Sequence, residues 1–113
     1  MITFRCVVQE GCIPLDIRPR LVSGLMRTTT EVLGAAPDDV QVEFEEIPRG
    51  AGYRGGELST TSLVRGTLPP GCEQPVREQL LMKLGDMWCE IVGCGIDEVV
   101  VSAGDRDYVP NVY

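Results

Sequence analysis

The constraint that most narrows what this chain can fold into is an internal repeat. Adding 59 carries Leu21, Val22, Leu25, Val32 and Leu33 onto Leu80, Leu81, Leu84, Ile91 and Val92. The same shift carries Asp38, Asp39, Val40 and Val42 onto Asp97, Glu98, Val99 and Val101. A shift held constant over two successive elements marks a duplicated unit. The stretches "VVQEGC" and "TLPPGC", ending at Cys12 and Cys72, recur 60 apart, one residue out of that register.

Each copy reads as strand, helix, strand. Ile2, Phe4, Cys6 and Val8 alternate with Thr3, Arg5, Val7 and Gln9, the period-two pattern of a half-buried strand. An apolar stripe of Leu21, Val22, Leu25, Thr29, Val32 and Leu33 predicts a helix from about 18 to 33, with Pro19 in its first turn and Gly34 at its end. "DDVQVEFEEI" alternates again, turning Val40, Val42 and Phe44 inward. "PRGAGYRGGE", rich in glycine and arginine, reads as a loop or turn rather than a regular element.

The second copy follows the same order. "TTSLVRGTL" reads as a strand, and "EQPVREQLLMKLGDMWCEIVG" as a helix with Val76, Leu80, Leu81, Leu84, Trp88 and Ile91 on one face behind Pro75. "IDEVVVSAG" supplies the last strand, and the tail "DRDYVPNVY" has no clear period. The expectation is one domain over 1–113, built of two βαβ halves at about 1–50 and 60–113. It is an α/β (α+β) fold, a four-stranded sheet with both helices on one face.

The uncovered face would carry Thr3, Arg5, Gln41, Glu43, Arg65 and Val100, too polar for a dry core and suited to a wet channel between subunits. A closed oligomer covers such a face. Arg65, inside an apolar strand, either snorkels or pairs with a carboxylate such as Glu43. Asp105, Arg106, Asp107 and Tyr108 follow the last strand, where α/β sheets place ligand contacts, or form an exit or intersubunit arm.

Charge and composition exclude several functions. A net charge of -7 repels a polyanion, so no nucleic-acid partner is expected. No histidine occurs, which excludes a Ser-His-Asp triad, a Cys-His pair and the commonest zinc ligands. Neither a metal nor another cofactor is expected. No apolar run is long enough to span a bilayer and no secretory leader is evident, so no membrane partner and a cytoplasmic location are expected. The five cysteines read as free thiols, with Cys89 in the core and Cys94 in a turn.

A strand ending in "EGC", a helix closing in "LGAAPDDVQVEFEE" and then "GYRGGELST" resemble the tautomerase superfamily. Gly55, Gly56, Glu57 and Leu58 are similar to the Gly-Gly-Glu-Leu segment of the 4-oxalocrotonate tautomerase branch. The double-length chain looks most like the branch of cis-3-chloroacrylic acid dehalogenase and malonate semialdehyde decarboxylase, in which two units are fused. The resemblance implies a MIF-like fold, a trimer, and an isomerase-like or lyase activity on a small enolisable carbonyl or carboxylate compound.

The resemblance also implies a site that this chain has altered. The family's catalytic amino-terminal proline falls at Ile2, and its substrate-binding arginines fall at Cys12, Gln41, Pro69 and Cys72. A thiol cannot replace the bidentate grip of guanidinium on carboxylate. The groups left as candidates are the Met1 α-amine as proton carrier or Schiff-base former, with Tyr53, Arg54 or Arg65 orienting the substrate. Cys12 and Cys72 serve either as thiolates favoured by a helix terminus or as small apolar packing. The partner is a small-molecule ligand, within a homotrimer or a hetero-oligomer whose other chain brings the proline. In the alternative, the chain is a catalytically silent scaffold.

Overall fold

The structure, a computed structural model, describes residues 1–105; Arg106, Asp107, Tyr108 and the rest of the tail lie outside the described residues. Strand β1 (Ile2–Gln9) leads through a 3-10 turn into helix α1 (Arg18–Leu33), and β2 (Val40–Ile47) follows. After two short strands, β3 (Tyr53–Arg54) and β4 (Glu57–Leu58), β5 (Ser62–Leu68) leads into helix α2 (Gln74–Val92) and β6 (Val99–Asp105).

The main sheet has the order β2-β1-β5-β6. Within each half the strands are parallel, whereas β1 and β5 meet antiparallel at the centre. Both helices pack on one face over Phe4, Cys6, Val8, Val64 and Leu68, which are all buried, together with Leu21, Leu25, Leu80, Leu84 and Trp88. Each helix ends on a left-handed glycine, Gly34 (φ 70°) and Gly93 (φ 80°), whose N–H closes the last turn onto Thr30 O or Cys89 O.

The pairing register explains the odd residue in the repeat. Ile2 pairs with Val40 and Ser62 with Val99, so the first strands are related by 60 and the second strands by 59. The extra residue of the first half lies between Gly11 and Leu15. There the chain makes a 3-10 turn, Leu15–Ile17, before its helix, whereas α2 starts directly at Gln74. One polar contact is duplicated in the register of the helices: Arg18 donates to Ile13 O and Arg77, 59 positions on, to Cys72 O, each at 3.2 Å.

Two expectations change. The glycine-arginine stretch is not irregular throughout, because Tyr53 pairs with Leu58 and Arg54 with Glu57 in a hairpin. Gly55 (φ 61°) and Gly56 (φ 84°) both take the left-handed backbone that a tight hairpin turn requires. Arg65 does not reach Glu43, since β1 separates β5 from β2. It stands opposite Arg5 across the β1–β5 pair and makes no ion pair among the described residues. Arg5 instead donates to Glu45, at 2.7 Å.

No helix among the described residues is long and apolar enough to cross a membrane. The open face of the sheet presents Arg5, Gln41, Glu43, Leu63, Arg65 and Val100, all exposed. At the centre of the covered face the Phe4 ring lies on Gly66, its cross-strand partner. A Cβ placed on Gly66 would stand 2.8 Å from Phe4 Cε1. The ring is fully buried and cannot swing aside. Gly66→Ala should therefore destabilise the fold by about 1–3 kcal/mol. Urea unfolding at fixed protein concentration should show a lower midpoint with an unchanged slope.

Candidate functional site

Because β1 and β5 run in opposite directions, the duplicated turns after them lie at opposite ends of the sheet. Each turn frames the head of the other half's first strand, and the result is a pair of related clefts. One, of about 500 Å³, opens at the head of β1, where Ile2 meets Val32, Leu33 and Ala35 from the end of α1 and Pro69, Pro70, Cys72, Glu73 and Val76 from beyond β5. Its mate, of about 240 Å³, opens at the head of β5, where Ser62 meets the Gly11–Cys12 turn, Arg49 and the end of α2.

The walls correspond under the repeat. Ser62 takes the place of Ile2, Val92 that of Leu33, Cys94 that of Ala35, and Cys12 that of Cys72. Their chemistry has diverged. The β1 cleft is lined by aliphatic and proline side chains, with Glu73 as its charged residue. The β5 cleft holds Arg49, Thr60, Glu98 and two thiols over the indole of Trp88.

The candidate residues from the sequence fall in four places. Ile2, 3% exposed, and Cys72 share the β1 cleft; Met1, next to Ile2, is 60% exposed. Cys12 lies in the β5 cleft. Gln41 is on the open sheet face beside Thr3 and donates from Nε2 to Glu43, at 3.1 Å. Arg65 is on the same face.

Tyr53 and Arg54 occupy the hairpin, and Arg54 Nη1 donates to Asp97 O at 2.7 Å, tying the hairpin to the turn before β6. A shallow cleft of about 290 Å³ follows this tie, between β4 and that turn. Within one chain, then, Ile2 and Cys72 share a cleft whose lining does not include Met1, and Tyr53, Arg54 and Arg65 stand elsewhere.

Sequence reasoning passed over Arg49, Thr60, Ser62 and Glu98. The repeat itself pointed to one of them, since shifting Ile2 by the strand offset of 60 arrives at Ser62. The loop that presents Arg49 and Thr60 is anchored by Gln9, itself 3% exposed. Its Nε2 donates to Ser59 O, and its Oε1 accepts from Gly50 N at 3.3 Å. Ser59 and Thr61 then share a hydroxyl hydrogen bond at 2.7 Å.

No group of three or more metal-ligating side chains occurs among the described residues. Cys94 Sγ lies 3.8 Å from Cys89 Sγ, across the glycine that caps α2.

Compared by sequence, the chain matches no model of a known protein family and no curated protein. Compared by structure, it matches proteins of the tautomerase fold. The protein Ps01740 in its native form is 25% identical, with a TM-score of 0.86 over 91% of this chain and 92% of that one. A fused 4-OT, solved as a symmetric trimer, is 18% identical, with a TM-score of 0.84 over 91% of this chain and 84% of that one. The protein N1, a member of the cis-3-chloroacrylic acid dehalogenase family, is 16% identical, with a TM-score of 0.87 over 91% of this chain and 73% of that one. The chain therefore has the tautomerase-superfamily fold in its fused, double-βαβ form.

Two thiols have moved away from reactivity. Burial pushes Cys6 up to about 12, and burial with the Cys89 hydrogen bond pushes Cys94 up to about 11. Both raised values favour the neutral thiol in the fold. Below pH 9 neither contributes to pH dependence; above it the unfolded chain gives up these protons first, so stability falls toward pH 12. Urea midpoints measured from pH 8 to 11 should decline. The decline should be shallower in Cys6→Ala once both series are referred to their values at pH 8.

Proposed function

We propose that this chain is a subunit of a tautomerase-fold trimer that takes a small, uncharged, largely apolar carbonyl compound into the cleft at the head of β1. The observation that carries this is the lining of that cleft: aliphatic and proline side chains, with a carboxylate, Glu73, as the charged group. An anionic substrate would be repelled there. Pro69 and Cys72, where the resembled family has arginine, line the wall and offer no guanidinium.

Chemistry in this cleft is proton transfer at the carbon next to the carbonyl, with the Met1 α-amine as the carrier. Met1 adjoins the cleft wall through Ile2 and is exposed. A positioned amine can act as general base or form a Schiff base with a carbonyl compound. The trimer is supported by the open sheet face, where Leu63 and Val100 are exposed and Arg5 faces Arg65. Like charges directly opposite each other destabilise a strand pair, and a second copy bringing carboxylates or apolar cover relieves them. The fused 4-OT of the same fold forms a symmetric trimer.

A second reading is favoured by the absence of lysine and arginine from the described residues that line this cleft. In it the site is silent, and the chain serves as a ligand-binding scaffold or as the partner subunit of a hetero-oligomer. Deuterium exchange at the α-carbon, followed by proton NMR, separates the two. Saturable acceleration with a neutral ketone such as 2,4-hexanedione, little with pyruvate, and loss of the effect on acetylating the α-amine support proton transfer. Saturable binding of the ketone without exchange supports the scaffold. Neither binding nor exchange rejects both.

A further inference from the structure

We propose that the smaller cleft, at the head of β5, is a second ligand site, and that it takes a short carboxylic acid bearing a hydrogen-bond donor on its second carbon. The donor is a hydroxyl or an ammonium group.

The site consists of one cation, one anion and buried polar groups around an aromatic floor. Arg49 lines it and makes no ion pair among the described residues. Its Nη1 lies 3.5 Å from where a Cβ on Gly11 would stand, so the guanidinium sits over the Gly11 turn at the mouth. A free guanidinium facing a cleft is the group best suited to a carboxylate, which it can hold by two parallel hydrogen bonds.

On the other side is Glu98. Its Oε2 accepts from Thr60 Oγ1 at 2.8 Å, which holds the carboxylate in the wall, and its side chain accepts no other hydrogen bond among the described residues. A carboxylate facing the same cleft would disfavour a plain anion. It would favour an acid that also carries a donor, since that donor can be received by Glu98 while Arg49 takes the acid group. The lining charges of Arg49 and Glu98 balance, as those of such a ligand do when the donor is an ammonium.

The floor supplies the independent observation. Trp88 is 1% exposed and lines the cleft, yet its indole N–H has no hydrogen-bond partner among the described residues. Buried donors without acceptors are rare and costly in folded proteins. A ligand oxygen can become that acceptor once the atoms covering the N–H give way on binding, since less than 1 Å² of it is accessible in this fold. Ser62, 2% exposed, adds a buried hydroxyl at the same depth. At about 240 Å³ the space suits a molecule of three or four carbons and excludes most larger ones.

This inference stands apart from the function proposed for the β1 cleft, with which its mate shares a backbone plan and little chemistry. Trp88 is the single tryptophan of the chain, so its fluorescence reports this cleft alone. Titration with L-lactate and L-alanine should change Trp88 emission saturably. Pyruvate, which lacks the donor, should bind at least tenfold more weakly.

Arg49→Ala, at an exposed loop position, should keep the far-UV circular dichroism of the parent and weaken binding at least tenfold. Glu98→Gln should narrow the difference between lactate and pyruvate to less than threefold. Trp88→Phe, read by calorimetry, should weaken lactate at least threefold. Should that variant not fold, Ser62→Ala read by fluorescence takes its place with the same expectation. No saturable change with any of the three acids, or unchanged affinity in Arg49→Ala, would overturn the site. Retained discrimination against pyruvate in Glu98→Gln would overturn the part given to Glu98.

Discussion

The antiparallel pairing of β1 with β5 is the contact on which the rest of this molecule depends. It joins two halves that are each parallel within themselves into one sheet, with Phe4 seated on Gly66 at the seam. A β-branched or larger residue at 66 would leave the ring nowhere to lie, because both helices cover it. The same pairing turns one half by a half-rotation relative to the other. The duplicated glycine-cysteine turns consequently fall at opposite ends of the sheet, and each closes a cleft over the head of the other half's first strand.

Duplication thus produces two cradles with one backbone plan, and side chains alone decide what each can hold. At the head of β1 the wall is Ile2, Leu33, Ala35 and two prolines; at the head of β5 the matching surface carries Ser62, Val92 and Cys94, with Arg49 and Glu98 at the rim. The first favours burial of apolar area, and the second favours paired charges and directed hydrogen bonds. The single residue inserted between Gly11 and Leu15 belongs to this divergence, because it remakes the turn that frames the β5 cleft while the turn at Cys72 runs straight into its helix.

Much of the architecture was legible in the residue pattern. The alternation at 2–9 and the stripe from Leu21 to Leu33 describe β1 and α1 closely, because period two and period 3.6 each leave one face apolar. The hairpin at Tyr53 and Leu58 was hidden, since a two-residue strand has no periodicity to show and its signal was the pair of glycines between. The placement of Arg65 was hidden too. A strand's residues show which of them share a face, but not which strand lies alongside, and so Glu43 looked reachable when Arg5 was the true neighbour. Ile2 and Cys72, singled out by the repeat and the family resemblance, line one cleft. Arg49 and Trp88 were not found as a pair, because they stand 39 positions apart and only folding brings them to one cleft.

By itself, the sequence determined that there are two βαβ halves, that their helices cover one face, and that a polar second face stays open. These follow from local periodicity and from a repeat, both of which a linear chain carries in full. The relative direction of the two halves, and with it the position of each glycine-cysteine turn, was decided only by the tertiary structure. That direction depends on backbone hydrogen bonds between β1 and β5, and on a phenylalanine ring needing the space over a glycine 62 residues further on. Cys12 and Cys72 look like one feature repeated along the chain; in the fold they line the walls of two different clefts.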